Sequence, residues 1–580
     1  MNVFEKIKNE ILKCIHALCL DKKLTSEASN IDFSVEIPKE KAFGELSTNV
    51  ALLLGKIEEK NPRQIAEILK EELKNNSMIS RVEIAGPGFL NFIINNSLWF
   101  EVIVACIKNG SQYGSTDFGK GRSAIVEYVS ANPTGPLHVG HMRGAIIGDV
   151  VSNLLQFVGY RVTREYYIND GGSQIVSLAK SVYLRYLEAH GRKVDFGEDL
   201  YPGEYLKAVG NKLKQNFGNS LMDLSFKEWF GPVSSIAVEE MLNLIKDDLA
   251  AIGIKMDSYF SEKSLYSDGI IEKSLNFLQS NDLVYEGVLP PPKGRAQSNW
   301  EQRKQLLFKS TQFGDDVDRA LKKGDGEWTY FAPDVAYHFD KLARGYHIII
   351  DILGADHAGY VKRMQAAVAA LSKGASDLEV KLCQLVRLYK NGVPYKMSKR
   401  AGNFVLLRDV VNEVGADIAR FVMLMRKNDA PLDFDFDKAL DQSKDNPVFY
   451  VQYAHARATS ILTKAEQNDM VESHVNINLE QFNLLSETEE RDLIKIIAMW
   501  PKVVELAAKN REPHRISFYL YDLAASFHAL QHKGKINPKS RFIIKTEPDV
   551  SAARLSLVNA AKIVLSTGLT IVGVVPKDKM

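Results

Sequence analysis

The sequence predicts an α/β domain with a parallel sheet, preceded by an α+β domain and followed by an all-α helical bundle. Three observations carry this. Residues 123–129 (SAIVEYV) and Arg161–Ile168 are β-branched, apolar runs on either side of Gly140–Phe157, which has helical apolar spacing. Strand, helix, strand at that distance is a βαβ crossover, which requires parallel strands. His347–Leu353 (HIIIDIL) is the clearest buried strand in the chain, and from about residue 440 onward the apolar pattern is almost wholly helical. The length agrees, since 580 residues make about 3–5 domains at ~150 residues each.

Composition bounds the function. Forty-five per cent apolar and 25% charged residues are ordinary for a soluble globular protein. A formal net charge of +1 leaves no global basic field, so any nucleic-acid surface is local. Cys14, Cys19, Cys106 and Cys383 form no CxxC pair or Cys/His cluster of zinc spacing. They read as buried thiols in a reducing compartment. The opening MNVFEKIKNEILKCIHAL mixes acids and lysines through an apolar stripe, an amphipathic helix rather than a signal peptide. No stretch approaches the ~18 uninterrupted apolar residues of a membrane span. A cytoplasmic protein without membrane contact is expected.

Residues 1 to about 115 read as the α+β domain. Helical patterns at Val3–Leu20 and Pro62–Asn75 flank strands Val82–Ile84 and Phe89–Ile94, which straddle the turn Gly86-Pro87-Gly88. Ser111–Gly121 is polar and Gly-rich, a linker. The α/β domain is expected over 116–400, with a largely helical insertion at about 173–260. Ser130–Pro136 holds two prolines, which break a helix. HIIIDIL runs into Gly354-Ala355-Asp356-His357 and then a helix, Tyr360–Leu371. Val380–Tyr389 and Val393–Tyr395 flank Asn391-Gly392, a hairpin signal. Residues 401–440 connect to the last domain, 441–580. There Asn446-Pro447 is an N-cap and N1 pair, and Gly568 is expected to close a helix that starts near Ser551.

Two motifs carry chemistry. His138-Val139-Gly140-His141 follows a strand and opens a helix. Helix N-termini bind anions through unpaired N–H groups and the positive dipole end. The imidazoles can hydrogen-bond phosphate oxygens, and Gly140 lets a planar base lie against the backbone. Alone, the pair could equally be helix-capping histidines. Lys396-Met397-Ser398-Lys399-Arg400-Ala401-Gly402-Asn403 sets ammonium groups beside a hydroxyl. Alone, it could be a solvated basic turn. Together the motifs describe a site for a nucleoside triphosphate, in which the lysines meet the leaving pyrophosphate in the transition state.

The pair resembles the signatures of class I aminoacyl-tRNA synthetases. VEYVSANPTGPLHVGHMRGAIIGD, GADHAGYVKRMQAA, KMSKRAGNFVLLRDVVNEVGAD and YVQYAHARATSIL are similar to segments of the arginyl-tRNA synthetase family, as is the end, GVVPKDKM. The resemblance covers essentially the whole chain. Some members lack the second lysine of the lysine motif and carry one before the histidine motif instead. This chain keeps Lys399 and has Thr134-Gly135-Pro136 upstream. The resemblance implies a tRNA-contacting N-terminal domain, a Rossmann-like catalytic domain, a stem-contacting connection at 401–440 and a helical anticodon-binding domain. The implied activity is ATP-dependent attachment of arginine to its tRNA through an arginyl-adenylate, by a monomer. Magnesium would arrive on ATP, and no protein-bound zinc is expected.

The resemblance also implies the site. His138, Gly140, His141, Lys396, Ser398 and Lys399 are the expected catalytic residues. Met397, Asp356 and His357 join them as contacts of ATP, although capping of a strand end would account for Asp356 and His357 nearly as well. Arginine is a permanent cation with a fork of donors and wants planar carboxylates. Tyr330 and Asp334 are expected on its guanidinium with Glu262 as second carboxylate, and Asn132 on its α-amino group. Ser130 and His338 complete that set. Asp334 after Pro333 could instead be a helix cap, and Glu262 a surface charge. For tRNA, Phe89 and Asn91 are candidates in the first domain. Tyr450, Tyr453, His455 and Arg457 are candidates in the last, beside His532 and the cations Lys533, Lys535, Lys539 and Arg541. Aromatics beside cations suit unpaired bases, though aromatics at helical spacing are more often core. Three rivals remain. A small nucleotidylyltransferase leaves the lysine motif and the helical end unexplained. A cysteinyl-type synthetase expects zinc-binding cysteines. A non-enzymatic RNA-binding paralogue would be expected to have eroded motifs.

Overall fold

The structure, a computed structural model, describes residues 1–38, 40, 43–289, 303–395, 405–443, 445–467 and 479–580. Helix α1 (Val3–Leu20) is capped by the Asn2 side chain, which accepts from the Phe4 and Glu5 amides, and its stripe Val3, Ile7, Ile11, Ile15 is buried. Strands β1 (Val35–Glu36), β2 (Leu46–Thr48), β3 (Ile79–Ala85) and β4 (Phe89–Ile94) form an antiparallel sheet in the order β1-β2-β4-β3. Helices α2 (Val50–Ile57) and α3 (Pro62–Leu73) precede the β3–β4 hairpin. A further helix, α4 (Asn96–Asn109), leads out of the domain. The stretch after it is no free linker. Tyr113 is buried and its carbonyl accepts the Trp500 indole N–H at 2.8 Å. Gly114, at φ +91, lies under that indole, where a Cβ would meet Trp500 Cδ1 at 2.6 Å.

The catalytic sheet is parallel throughout, in the order β12-β11-β5-β6-β7. Its strands are β5 (Ser123–Glu127), β6 (Arg161–Ile168), β7 (Ser258–Ser261), β11 (Ile348–Gly354) and β12 (Leu378–Cys383). Helix α5 (Val139–Phe157) makes the β5–β6 crossover. The insertion comprises α6 (Ser173–Ala189), α7 (Tyr205–Phe217) and α8 (Phe226–Ala251), with an apolar core of its own around Tyr186, Leu213 and Val233. Near its expected end, about 260, Ser258–Ser261 returns to the main sheet beside β6. Short helices α9 (Glu262–Ser267) and α10 (Ile270–Ser280) lead to an antiparallel trio, β8 (Val284–Gly287), β9 (Gln305–Phe308) and β10 (Arg319–Lys322). Helices α11 (Phe331–Ala343) and α12 (Val361–Leu371) flank β11.

The run Val380–Tyr389 is two strands, not one. Its first half is the edge of the main sheet. Its second half, β13 (Val386–Lys390), pairs with β14 (Val393–Pro394) across Asn391 and Gly392, both at positive φ as a two-residue hairpin needs. Strand β15 (Leu432–Asp435) adds to β13 in parallel. Between them lie α13 (Leu407–Val414) and α14 (Ala416–Met423), and α15 (Phe436–Leu440) follows. The last domain packs α16 (Pro447–Glu466), α17 (Thr488–Asn510), α18 (His514–Ile536) and α19 (Pro548–Ile571). Asn446 caps α16 as the sequence predicts. Gly568 does not close α19, which runs on to Ile571. It sits where α18 crosses, and a Cβ there would meet Leu520 Cδ2 at 2.5 Å. Of the four thiols only Cys106 and Cys383 are buried; Cys14 and Cys19 sit on half-covered faces.

Candidate active site

The histidine motif stands at the carboxyl end of β5, where ligands of open α/β sheets bind. His138 is the N-cap of α5. Its Nδ1 accepts the Gly140 N–H at 3.1 Å, and His141 Nδ1 accepts the His138 N–H at 3.3 Å. The two rings stack with centroids 3.8 Å apart. Capping and anion binding therefore use the same residues, since a cap satisfies the N–H groups a phosphate would otherwise meet. Lys396, Met397, Ser398 and Lys399 lie outside the described residues. The segment that follows them does not. Val139 N–H donates to Val405 C=O at 3.1 Å, and Leu407 N–H to Leu137 C=O at 2.8 Å. The segment just past the lysine motif, residues 405–407, is thus paired, antiparallel, to residues 137–139.

Between β5 and that motif the chain turns sharply. Val129 and Ser130 are both at positive φ, +70 and +38, costly for a β-branched residue. The turn is held by Ser130 Oγ, which donates to Glu127 Oε1 at 3.0 Å and accepts the Tyr167 N–H at 3.1 Å. Ser130 is therefore occupied by the scaffold, and Asn132 is the exposed polar group of the turn.

Across the carboxyl ends of β6 and β7 lies a group of acids. Asp170 accepts from Ser261 Oγ at 2.6 Å and from the Lys263 amide at 3.1 Å. Burial raises the Glu262 carboxyl, the Asp170 charge raises it further, and the Gly171 amide opposes both. Asp334, in the first turn of α11, is pushed up to about 7 by burial, although His338 and a hydrogen bond with Tyr360 pull it down; Glu127 and Glu262 add to the rise. Among the described residues no lysine or arginine pairs with Asp334 or Glu262. Such a pocket stabilises an incoming cation. Tyr330, one turn before Asp334, is 89% exposed. His338 needs correction as a ligand contact. It is buried, with Nδ1 2.8 Å from the Asp334 carbonyl and Nε2 3.0 Å from Asp351 Oδ2. Both ring nitrogens are engaged, so it positions the helix that bears Asp334. Asp356 and His357 sit exposed on the 3₁₀ turn after β11, 3.8 Å from each other.

Three family models match the chain. They are the arginyl tRNA synthetase N terminal domain over residues 5–94, the class I (R) tRNA synthetase catalytic domain over 102–198 and the DALR anticodon binding domain over 451–580. Arginine–tRNA ligases of Ruegeria pomeroyi and Roseobacter denitrificans are each 50% identical to it over 580 residues, the whole of both chains. The chain belongs to the arginyl-tRNA synthetase family. The Thermus thermophilus arginyl-tRNA synthetase shares its fold, with a TM-score of 0.74 at 21% identity over 99% of this chain and 100% of that one.

Sequence reasoning missed a second acid group in this arginyl-tRNA synthetase scaffold. Register sets Asp351, Glu127 and Glu165 side by side on β11, β5 and β6. Three carboxylates in the middle of a buried parallel sheet need cations, and α11 supplies them. Lys341, 0% exposed, reaches Glu127 at 2.6 Å and Asp351 at 2.9 Å. Arg344 clasps Glu165 at 2.6 and 2.8 Å, and the Tyr337 hydroxyl donates to it at 2.7 Å. Burial alone would raise Asp351 and Glu165, but the ammonium and guanidinium groups hold both below their ordinary range. The signal was present in the strands as Glu127, Glu165 and Asp351, each an acid inside an apolar run.

The candidate RNA surfaces divide. A cleft of about 540 Å³ in the first domain is lined by Ile37, Pro38, Phe43, Pro87, Phe89 and Asn91. Phe89 is 39% exposed, whereas Asn91 is buried at the floor. In the last domain a hollow of about 330 Å³ holds Phe449, Tyr450, Tyr453, His528, His532 and Lys535. Arg457 is spent on Tyr453, donating to its hydroxyl at 2.6 Å. His455 belongs to the core rather than to this hollow, buried with Nδ1 3.0 Å from the Lys577 carbonyl. Lys533 is likewise taken, by Glu487 and Glu489.

Proposed function

We infer that the enzyme attaches arginine to its tRNA at the expense of ATP. An arginine carboxylate oxygen attacks the α-phosphorus, the bond from phosphorus to the bridging oxygen of pyrophosphate breaks, and arginyl-adenylate forms. A terminal ribose hydroxyl of tRNA then attacks the adenylate carbonyl and AMP leaves. Full-length identity to arginine–tRNA ligases supports the reaction. The observation that carries the site is an acid pocket, Asp334 with Glu262, that no lysine or arginine among the described residues neutralises, across the strand ends from the histidine motif.

In this reading Asp334 and Glu262 take the guanidinium and Asn132 the α-amino group. Tyr330 covers the pocket from its exposed position. His138 and His141, whose Nδ1 atoms accept the Gly140 and His138 amides, donate from their rings to phosphate oxygens at the start of α5. Asp356 and His357 face the nucleoside. Lys396, Ser398 and Lys399 meet the leaving pyrophosphate, and Met397 lies along the nucleotide. Magnesium travels with the ATP phosphates as part of the substrate. Unpaired tRNA bases stack on Phe89 above Asn91 in the first domain, and on Tyr450 and Tyr453 in the last, with Arg457 holding Tyr453. The connection expected at 401–440 contacts the acceptor stem. The enzyme works in the cytoplasm as a monomer. No helix among the described residues is long and apolar enough to cross a membrane.

Pyrophosphate exchange, run with each amino acid and with or without tRNA, tests the reading. Exchange driven by arginine alone among the amino acids is expected; exchange driven by glutamate or cysteine would discard it.

A further inference from the structure

The helical insertion reaches the histidine motif through a single carboxylate. Asp248, near the end of α8, is 4% exposed. Its Oδ2 accepts the Leu137 N–H at 2.9 Å, one residue before His138. Its Oδ1 lies 3.5 Å from Nε of Arg408, near the start of α13. Arg408 in turn donates to the Asp247 carbonyl at 2.7 Å, which fixes the guanidinium against α8. Each oxygen of one carboxylate therefore serves one of two segments, whose contacting residues Leu137 and Arg408 lie 271 positions apart in sequence. Those segments also pair directly, Leu407 N–H to Leu137 C=O and Val139 N–H to Val405 C=O.

A second contact from the insertion acts on the same loop. The Tyr205 hydroxyl donates to the Thr134 carbonyl at 2.7 Å. Gly135 leaves room for it, since a Cβ there would stand 2.8 Å from that oxygen. Tyr205 fixes the entry of the loop. Asp248 fixes its exit, where the imidazoles begin.

We propose that Asp248 is a positioning residue for catalysis, setting the histidine motif against residues 405–408 and so placing His138 and His141 for the α-phosphate. This rests on the reading of those imidazoles as contacts of ATP. It gives the insertion a task in the reaction beyond covering the cleft. Displacing a reacting group by about 1 Å can cost ~10²-fold in rate, and freeing the loop's exit from the Asp248 carboxylate allows such a shift.

A mutant cycle on adenylate formation tests this, with full-length enzyme, saturating arginine and tRNA present. Asp248→Ala is expected to slow the step about 10- to 100-fold, with the arginine KM held within about twofold. Asp248→Asn keeps an oxygen for the Leu137 amide and is expected to restore most of the rate. His141→Asn should itself be slow. In that background Asp248→Ala should cost less than about threefold more, because both changes disturb one unit. If His141→Asn turns over like the parent, the reading of the motif falls. If His141→Asn is slow but Asp248→Ala multiplies its loss in full, the motif reading stands and the role of Asp248 is overturned. Should Asp248→Ala not fold, Arg408→Gln, on a half-exposed side chain, replaces it in the same cycle, and the same two outcomes decide.

Discussion

Helix α11 meets two acid clusters, one near each end. Near its carboxyl end Lys341 and Arg344 neutralise Glu127, Asp351 and Glu165, and Asp351 and Glu165 titrate below their ordinary range. Near its amino end Asp334 faces Glu262 with no lysine or arginine partner among the described residues, and both acids titrate above it. Both clusters mix Asp and Glu, the inner acids buried and the outer two half-buried. The difference is whether the protein provides the cation. Where it does, the carboxylates join the two sides of the fold. Where it does not, the pocket keeps a deficit of positive charge, the feature on which the proposed arginine site rests.

The comparison can be broken most forcefully at Lys341. Lys341→Met leaves Glu127 and Asp351 buried without their ammonium, and removal of one partner of a buried pair costs about 3–5 kcal/mol. Denaturant unfolding should show that loss. An unchanged midpoint would mean that the inner cluster is not held by charge.

Asp334→Asn should behave the other way. It removes a charged hydrogen bond to the substrate worth roughly 1.5–3 kcal/mol, so the arginine KM should rise about 10- to 150-fold. The ATP KM should move little. Stability should hold or rise, because a desolvated carboxylate is gone. Equal losses for arginine and ATP would contradict the pocket.

The pH dependence sharpens the contrast. Asp334 is raised to about 7, so below that value the free enzyme holds it neutral. Arginine needs it ionised. Its apparent affinity should fall as pH drops from 8 to 6, by up to about tenfold per unit once below the pKa, and Asp334→Asn should flatten the profile. The same shift runs against folding. A carboxyl raised in the native state binds its proton more tightly there, so ionising it costs stability as pH climbs from the ordinary value of 3.8 toward 7. Saturating arginine should reverse that cost. Glu262→Gln, with a smaller role than Asp334, should raise the arginine KM only several-fold, at about 1 kcal/mol for a partly solvated contact.

Much of the fold was legible because periodicity and punctuation act locally. SAIVE, RVTREYYI and HIIIDIL became central parallel strands, and Asn446-Pro447 opened its helix. The errors share a cause. Ser258–Ser261 is too short to announce itself, and only pairing to β6 makes it a strand. Val380–Tyr389 reads as one apolar run although two sheets divide it. Gly568 looks like a helix stop, yet a neighbouring helix requires it. Asp334 and Glu262 enter the proposed site through the family resemblance, on which their expected role rests. His338 was misread because its partner, Asp351, is brought beside it by tertiary packing alone. Asp248 carried no signal of its own, being one acid in a charged helix face whose partners lie on two distant segments.

The central claim is that the outer acid cluster takes a guanidinium because no lysine or arginine among the described residues pairs with it. Calorimetric titration of the enzyme with arginine and with citrulline, its uncharged near-isostere, tests it most directly. The parent should prefer arginine by on the order of 10-fold to 100-fold, the worth of one charged hydrogen bond, and Asp334→Asn should lose most of that preference. Equal binding of both ligands by the parent, or an undiminished preference in Asp334→Asn, would contradict it.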